Sequence, residues 1–409
     1  MDLKSGYPFW AIKNGLMGPF PRLAASARCD VAIIGAGITG ALTANELSRH
    51  GHHVSVLDQR DAAWGSTAAS TALIQYEIDT HMTDLAKRYG EADAALAYLA
   101  CAGAIDDLRR LSAQVRDVDF QRTPSLYLAS VPKHVEPLRT ECGLRSRYGL
   151  DVEWLSSGAL RERFDIEAPA AILSTLGATL DPYRLTYRVL GRVVRAGGEV
   201  FDRTCVDRVE MTSRGATLHV GDLRVRAKHV VFAAGYANEH WLDAKVATNR
   251  SSYAFVTDPL DRDDLGELAN LMVWESARPY LYLRPTADLR LLVGGEDESI
   301  DIPARRDARV DRRARQLMKK LASCLPHLDL TPTFAWAGTF AETTDGLPFF
   351  GAHHRQSPRA LFAMAYGGNG ITYSMIGAGI VRAAIEGAPH PLAELFSFRR
   401  LDRARRGAA

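Results

Sequence analysis

Between residues 30 and 58 the pattern of apolar positions changes twice. Asp30-Val-Ala-Ile-Ile-Gly35 is apolar, β-branched and too short for a helix, which predicts a strand buried on both faces. From Ile38 to His50 the apolar residues Ile38, Leu42 and Leu47 fall on neighbouring turns of a helix, and Gly51 supplies the stop. His53-Val-Ser-Val-Leu-Asp58 predicts a second short strand. Strand, glycine turn, helix and strand within about 30 residues make a βαβ unit.

Elsewhere the periods are more mixed. Residues 1–28 predict an irregular arm, and 64–72 a polar loop of small residues. A long helical region follows over 82–115, broken near Gly90. Strands at 125–129 and 152–155 flank a helix over 132–148. Residues 182–196 predict a helix closed by Gly197-Gly198, and short strands follow at 199–203, 205–211, 216–220, 223–226 and 230–234. A β-rich section spans 252–294 and a helix 307–324. A strand at 362–365 then runs into Gly367-Gly-Asn-Gly370 and a small-residue helix over 371–387. The fold class this predicts is α/β (α+β overall): a Rossmann-like βαβ domain and a second, β-sheet-rich domain, both discontinuous. The first is assigned 1–90, 150–235 and 331–409, the second 91–149 and 236–330. A chain of 409 residues suits two closely packed domains.

Composition narrows the function. Hydrophobic residues make up 47% and charged residues 24%, the balance of an ordinary globular chain. A net charge of only +2 gives no electrostatic case for nucleic acid. The one dense basic run, Arg399 to Arg406, reads as a solvated tail rather than a membrane-surface contact. Five scattered cysteines with no C-x-x-C pair argue against a disulfide framework, a zinc knuckle and a dithiol redox centre. The first residues hold no apolar leader pattern, and no window approaches the ~20 apolar residues of a spanning helix. A cytoplasmic protein without an integral membrane segment is expected.

Gly35-Ala-Gly37-Ile38-Thr39-Gly40 is a G-x-G-x-x-G that follows a strand and opens a helix. Gly35 allows the tight turn, Gly37 the close approach of a pyrophosphate, and Gly40 the packing of helix on sheet. The helix amino end offers N–H groups and partial positive charge to phosphates. Asp58, with Gln59 beside it, closes the second strand 18 residues past Gly40 and suits ribose hydroxyls. FAD and NAD share this fingerprint. Two further features bear on the choice: the loop holding Ser66, Thr67, Ser70 and Thr71, and the second glycine-rich helix start at Gly367, Gly368, Asn369, Gly370 and Ile371. That helix end could stabilise negative charge on a reduced flavin.

Four blocks in this order resemble the D-amino acid oxidase superfamily of FAD-dependent oxidoreductases, in its glycine oxidase, sarcosine oxidase and D-amino acid dehydrogenase branch. They are Val31–Gly40 with Asp58; Gly65–Ala72; Val230–Gly235; and Trp336–Gly351 followed by Tyr366–Ile371. The resemblance spans nearly the whole chain. It implies FAD bound in extended form, with Ala234, Gly235 and the backbone of Val206 among its contacts. It also implies a sheet-rich substrate domain over the flavin, and oxidation of a C–N bond by hydride transfer to N5 with later hydrolysis of the imine. The small-residue loops lack the Cys and His that covalent relatives use, so FAD is expected to be non-covalent.

The departures concern the substrate. Where relatives acting on amino acids place carboxylate-binding Arg residues, this chain has Phe340 and Gly368. Arg284 and Arg290 are either replacements from another wall or strand-surface residues. No Lys stands in the strand where sarcosine-type oxidases activate oxygen; Leu292 is the nearest match. Gln75 and Tyr282, with Tyr253 and Tyr280, are the candidates to face substrate, and no metal site is expected. The expected substrate is a small amine or amino/imino acid, with O2 or a quinone or other electron carrier as acceptor. A hydroxy-acid or alcohol dehydrogenase of the same fold, and a non-catalytic FAD-binding subunit, remain the alternatives.

Overall fold

The computed structural model describes residues 3–401 apart from 7, 16, 243, 300 and 329. Ala27–Ile34 lies inside an eight-stranded sheet, parallel to Val54–Leu57 on one side and to Leu223–Phe232 on the other. Ile33 stands between Val56 and Val231, and Val31 through Ile34 are all buried. Both faces are covered, which explains an unbroken apolar run rather than an alternating one. The helix Ile38–Arg49 packs beside the helices Pro182–Arg195 and Gly370–Glu386. Pro182–Arg195 starts where Asp181 caps it, accepting the Arg184 N–H at 2.9 Å, with Pro182 in the first turn.

Leu223–Phe232 is one strand where the sequence pattern predicts two. Its first half pairs with Gly215–Val220 and alternates buried apolar with exposed basic residues; its last three residues are buried and pair with Ala360–Met364. The change of environment within one strand changes its period.

The second sheet also has eight strands, in the order Pro332–Glu342, Thr248–Thr257, Leu291–Glu298, Leu281–Pro285, Met272–Glu275, Ser125–Leu128, Ala170–Ser174, Val152–Ser156. Pro332–Glu342, Ala170–Ser174 and Val152–Ser156 pair here, in segments that the sequence assigns to the first domain. The chain crosses between sheets inside those segments, and no local period marks such a crossing. Five helices, Phe9–Asn14, Ser66–Ala69, Ser157–Phe164, Arg262–Leu265 and Pro303–Asp307, carry no helical signal in the sequence; at four to eight residues they are too short to display a face. Phe9 and Trp10 are buried, so the amino-terminal arm is packed rather than irregular.

The basic carboxy-terminal run needs correction. Arg400 is 3% exposed, and its guanidinium pairs with Asp345 at 2.6 Å and caps the carbonyls of Leu347, Pro348 and Leu395. It is a core cation, not a solvated one; residues 402–409 lie outside the described residues. Among the described residues no helix is long and apolar enough to cross a membrane, and no group of His, Cys, Asp or Glu is arranged to hold a metal.

Candidate active site

A cavity of about 910 Å³ runs between the two sheets. One end is made by the first βαβ turn. Gly35 has φ +116° and lies so close to the neighbouring strand that a Cβ would stand 2.3 Å from the Ala233 carbonyl oxygen. Gly37, Ile38 and Thr39 line the cavity at the helix amino end. Gly40 does not: a Cβ there would meet the Gly35 carbonyl oxygen at 1.8 Å, so it serves the closure of helix onto turn. The Ile38 N–H donates to Thr67 Oγ1 at 3.0 Å, which fastens the loop Ser66–Thr71 to this end.

Asp58, Gln59 and Val206 extend the same wall. The Asp58 carboxylate accepts backbone N–H groups on both oxygens, from Ala36 at 2.8 Å and Arg60 at 2.9 Å. Burial nevertheless raises its carboxyl above the usual range, those two bonds only partly offsetting it. Ala234 and Gly235 face it across the trough.

Further along, Gly367, Gly368, Asn369, Gly370 and Ile371 bring a second helix amino end to the cavity. Asn369 holds this turn against the segment 75–79, donating to the carbonyls of Gln75 at 3.0 Å and Glu77 at 2.9 Å. The Gly368 N–H donates to Asp79 Oδ2 at 2.8 Å. Beyond it, Gln75, Glu77, Asp79, Trp274, Tyr280, Tyr282, Asp297, Phe340 and Glu342 line a wider chamber. Tyr282 lies flat over Gly294, where a Cβ would be 2.4 Å from its ring. Trp274 stacks on Tyr127 with ring centres 3.6 Å apart.

Two helix amino ends, a glycine-lined trough and a buried acid at the ribose position suit an extended dinucleotide with two charged or polar stretches. The family model for FAD dependent oxidoreductases matches residues 30–384. This chain belongs to that family. It is similar to the gamma-glutamylputrescine oxidoreductase of Escherichia coli, 24% identical over 93% of this chain and 88% of the relative. The glycine oxidase of Geobacillus kaustophilus is also 24% identical, over 88% of this chain and 93% of its own length. The crystal structure of that glycine oxidase superposes with a TM-score of 0.77 at 19% identity, covering 91% of this chain and 98% of the other. An L-proline dehydrogenase from P. horikoshii gives 0.79 at 17%, covering 93% and 99%. The fold is theirs, and the cofactor is FAD.

In this FAD-dependent oxidoreductase the candidate arginines do not face the chamber. Arg284 is 2% exposed and donates to the carbonyls of Thr71, Leu180 and Pro285 at 2.7, 3.0 and 3.1 Å. It braces the small-residue loop from behind, and burial lowers its pKa to about 10. Arg290 is engaged with Asp288 and the Thr257 carbonyl. Leu292 is fully buried in the core, so the residue matched to the oxygen-activating Lys does not line the cavity. Tyr253 and Tyr280 do line it, as do Gln75, Tyr282, Phe340 and Gly368.

Sequence reasoning missed Trp274 and four acids, Glu77, Asp79, Asp297 and Glu342. Gln75, Glu77 and Asp79 are spaced two apart just past the strand Leu73–Ile74, a period-2 signal that was legible. Asp297 and Glu342 carried none, because they come from strands far apart in sequence. Asp297 has Oδ1 buried without a hydrogen-bond partner, and burial pushes its carboxyl up to about 6. A carboxyl raised in the folded state favours folding when protonated and loses that advantage as pH rises. Asp297→Asn should therefore stabilise the protein by a margin that grows from near the ordinary 3.8 to about pH 6 and is level above it. Denaturant melts across that range are the check; a margin independent of pH would show Asp297 to be solvated.

Proposed function

We propose that this enzyme oxidises the C–N bond of a small amine or amino/imino acid, with FAD held non-covalently. The observation that carries the reading is a single cavity running from the dinucleotide trough into an aromatic chamber with no Arg or Lys among the chamber's lining residues. The names of the two curated relatives above, an oxidoreductase of a putrescine derivative and an oxidase of glycine, support an amine-type substrate.

The flavin, when bound, supplies a hydride acceptor. The chain supplies position and environment. Trp274, Tyr280 and Tyr282 give apolar walls that exclude water from the reacting carbon. Gln75 Nε2 is buried without a partner and is free to donate to an acceptor on the substrate other than the reacting nitrogen. The amino end of Gly370–Glu386 favours negative charge in the cavity beside it. A neutral amine would then need no dedicated general base: its α-carbon would give up hydride, and the iminium ion left behind would take up water and hydrolyse to a carbonyl compound and an ammonium ion. O2 or a quinone or other electron carrier would serve as the final acceptor. Five free cysteines suit a reducing, cytoplasmic setting.

Anaerobic mixing of the holoenzyme with amines, amino acids and 2-hydroxy acids tests this. Bleaching of the flavin band by amine-type compounds is the expected result. Bleaching by hydroxy acids alone would move the enzyme to C–O oxidation. Reduction by dithionite but by no organic donor would make it a non-catalytic flavoprotein.

A further inference from the structure

Glu77 is only 4% exposed, lines the chamber, and leaves Oε2 without a hydrogen-bond partner. Asp297, in the strand Leu291–Glu298, also lines the chamber and leaves Oδ1 in the same condition. Five carboxylates occupy this region: Glu77, Asp79, Asp297 and Glu342 on the lining, and Glu141 behind it. They meet three guanidinium groups. Arg145 pairs with Glu141 at 2.8 Å, while Arg250 and Arg278 both pair with Glu342, at 2.5 and 3.0 Å. Among the described residues no ion pair reaches Glu77, Asp79 or Asp297, and the Gly368 N–H is the one donor on Asp79 that bonds it directly. Arg145 acts on Glu77, and Arg278 on Asp79 and Asp297, only from beyond ion-pair distance; burial outweighs them and raises all three carboxyls, so carboxylates held here without a direct ion pair are costly. A cation entering the chamber relieves that cost.

The reacting nitrogen cannot be that cation. It must carry a free lone pair for the α-carbon to release hydride, so it enters the reaction neutral. The charge the carboxylates accept must therefore lie on a second nitrogen. We propose that the chamber selects an alkyl diamine, whose far ammonium is held by Asp297 and Glu77 while Tyr280, Tyr282 and Trp274 flank its methylene chain. Aromatic faces add cation–π attraction at such a site. Phe340 and Gly368, where relatives place Arg, fit the same inversion of charge: the chamber repels a carboxylate and attracts an ammonium. This inference rests on the amine-oxidation reading above and names its substrate class.

The test takes the flavin-loaded enzyme and three probes of one chain length: putrescine, butylamine and γ-aminobutyrate, whose far ends are cationic, apolar and anionic. Binding is read by calorimetry and by perturbation of the flavin spectrum, reduction by anaerobic bleaching. Putrescine should bind at least about tenfold more tightly than butylamine, with γ-aminobutyrate the weakest. Asp297→Asn and Glu77→Gln should each bring the putrescine-to-butylamine ratio towards unity. Tighter binding of γ-aminobutyrate, or an unchanged ratio in both variants, overturns the proposal. Should either variant fail to fold, the order of the three probes on the unmodified enzyme still decides. Bleaching by amines without any preference for the far charge defeats this inference alone. No bleaching by any amine defeats the amine reading and this inference with it.

Discussion

Gly37→Val should give a folded, colourless protein. Gly37 has φ −78°, a value open to any residue, so the substitution brings no backbone strain. Its effect is steric and local. A Cβ would stand 3.2 Å from Thr67 Oγ1, and the valine methyls would extend from there into the trough at the helix amino end. Thr67 cannot retreat freely, because its hydroxyl accepts the Ile38 N–H. A pyrophosphate needs that space to reach the helix N–H groups, and losing it removes both their hydrogen bonds and the helix-end field. Flavin content after purification should fall below about a tenth of the unmodified level, a loss of at least ~1.4 kcal/mol of binding under subsaturating FAD. Flavin absorbance per protein measures it, with circular dichroism to confirm the fold. A fully yellow variant would mean that the diphosphate does not lie against this turn. Gly40→Ala is the contrasting case. Its Cβ would fall 1.8 Å from a backbone oxygen, so its damage should appear in folding rather than selectively in cofactor content.

The difference between these two glycines shows which parts of the molecule were legible beforehand. The roles of Gly35, Gly37 and Gly40 follow from a local spacing, and the strand, turn and helix that frame them occupy one continuous stretch of chain. The chamber is another matter. Its walls come from the segment 75–79, from strands of the second sheet, and from the turn before the last helix, joined only by long-range pairing such as Asn369 onto Gln75 and Glu77. Tyr280 and Tyr282 could be placed on one face by their spacing, but not opposite Asp297. Arg284 misled for a related reason. A basic residue inside an apolar strand suggests a ligand or a surface, and nothing local reveals three backbone carbonyls waiting for it. Charge composition, being an average, hid the acidic chamber inside a chain of nearly zero net charge.

Arg400 is the strongest instance of a hidden partner, and Arg400→Leu should destabilise the enzyme more than any surface change. Its side chain is 2% exposed and that of Asp345 5%. Beyond the ion pair, it donates to three main-chain carbonyls and lies over the Phe349 ring at 4.2 Å. Leucine restores some packing but strands Asp345 and those carbonyls, and removing one partner from a buried pair costs about 3–5 kcal/mol. The pH dependence separates lost charge from lost packing. Burial alone raises the Asp345 carboxyl, and Arg400 with the Tyr89 hydroxyl outweighs it, holding the group below its ordinary 3.8. In the native chain this carboxylate contributes stability above that value and loses it as pH falls through the depressed one. In the variant burial prevails, the carboxyl rises, and its contribution turns unfavourable as pH increases. The deficit should therefore be large at pH 7 and shrink towards pH 4, where a protonated Asp345 needs no counter-charge. Urea melts at the two pH values read it directly. An equal deficit at both would mean that Arg400 acts through its packing and its carbonyl bonds, and that the ion pair adds nothing to the fold.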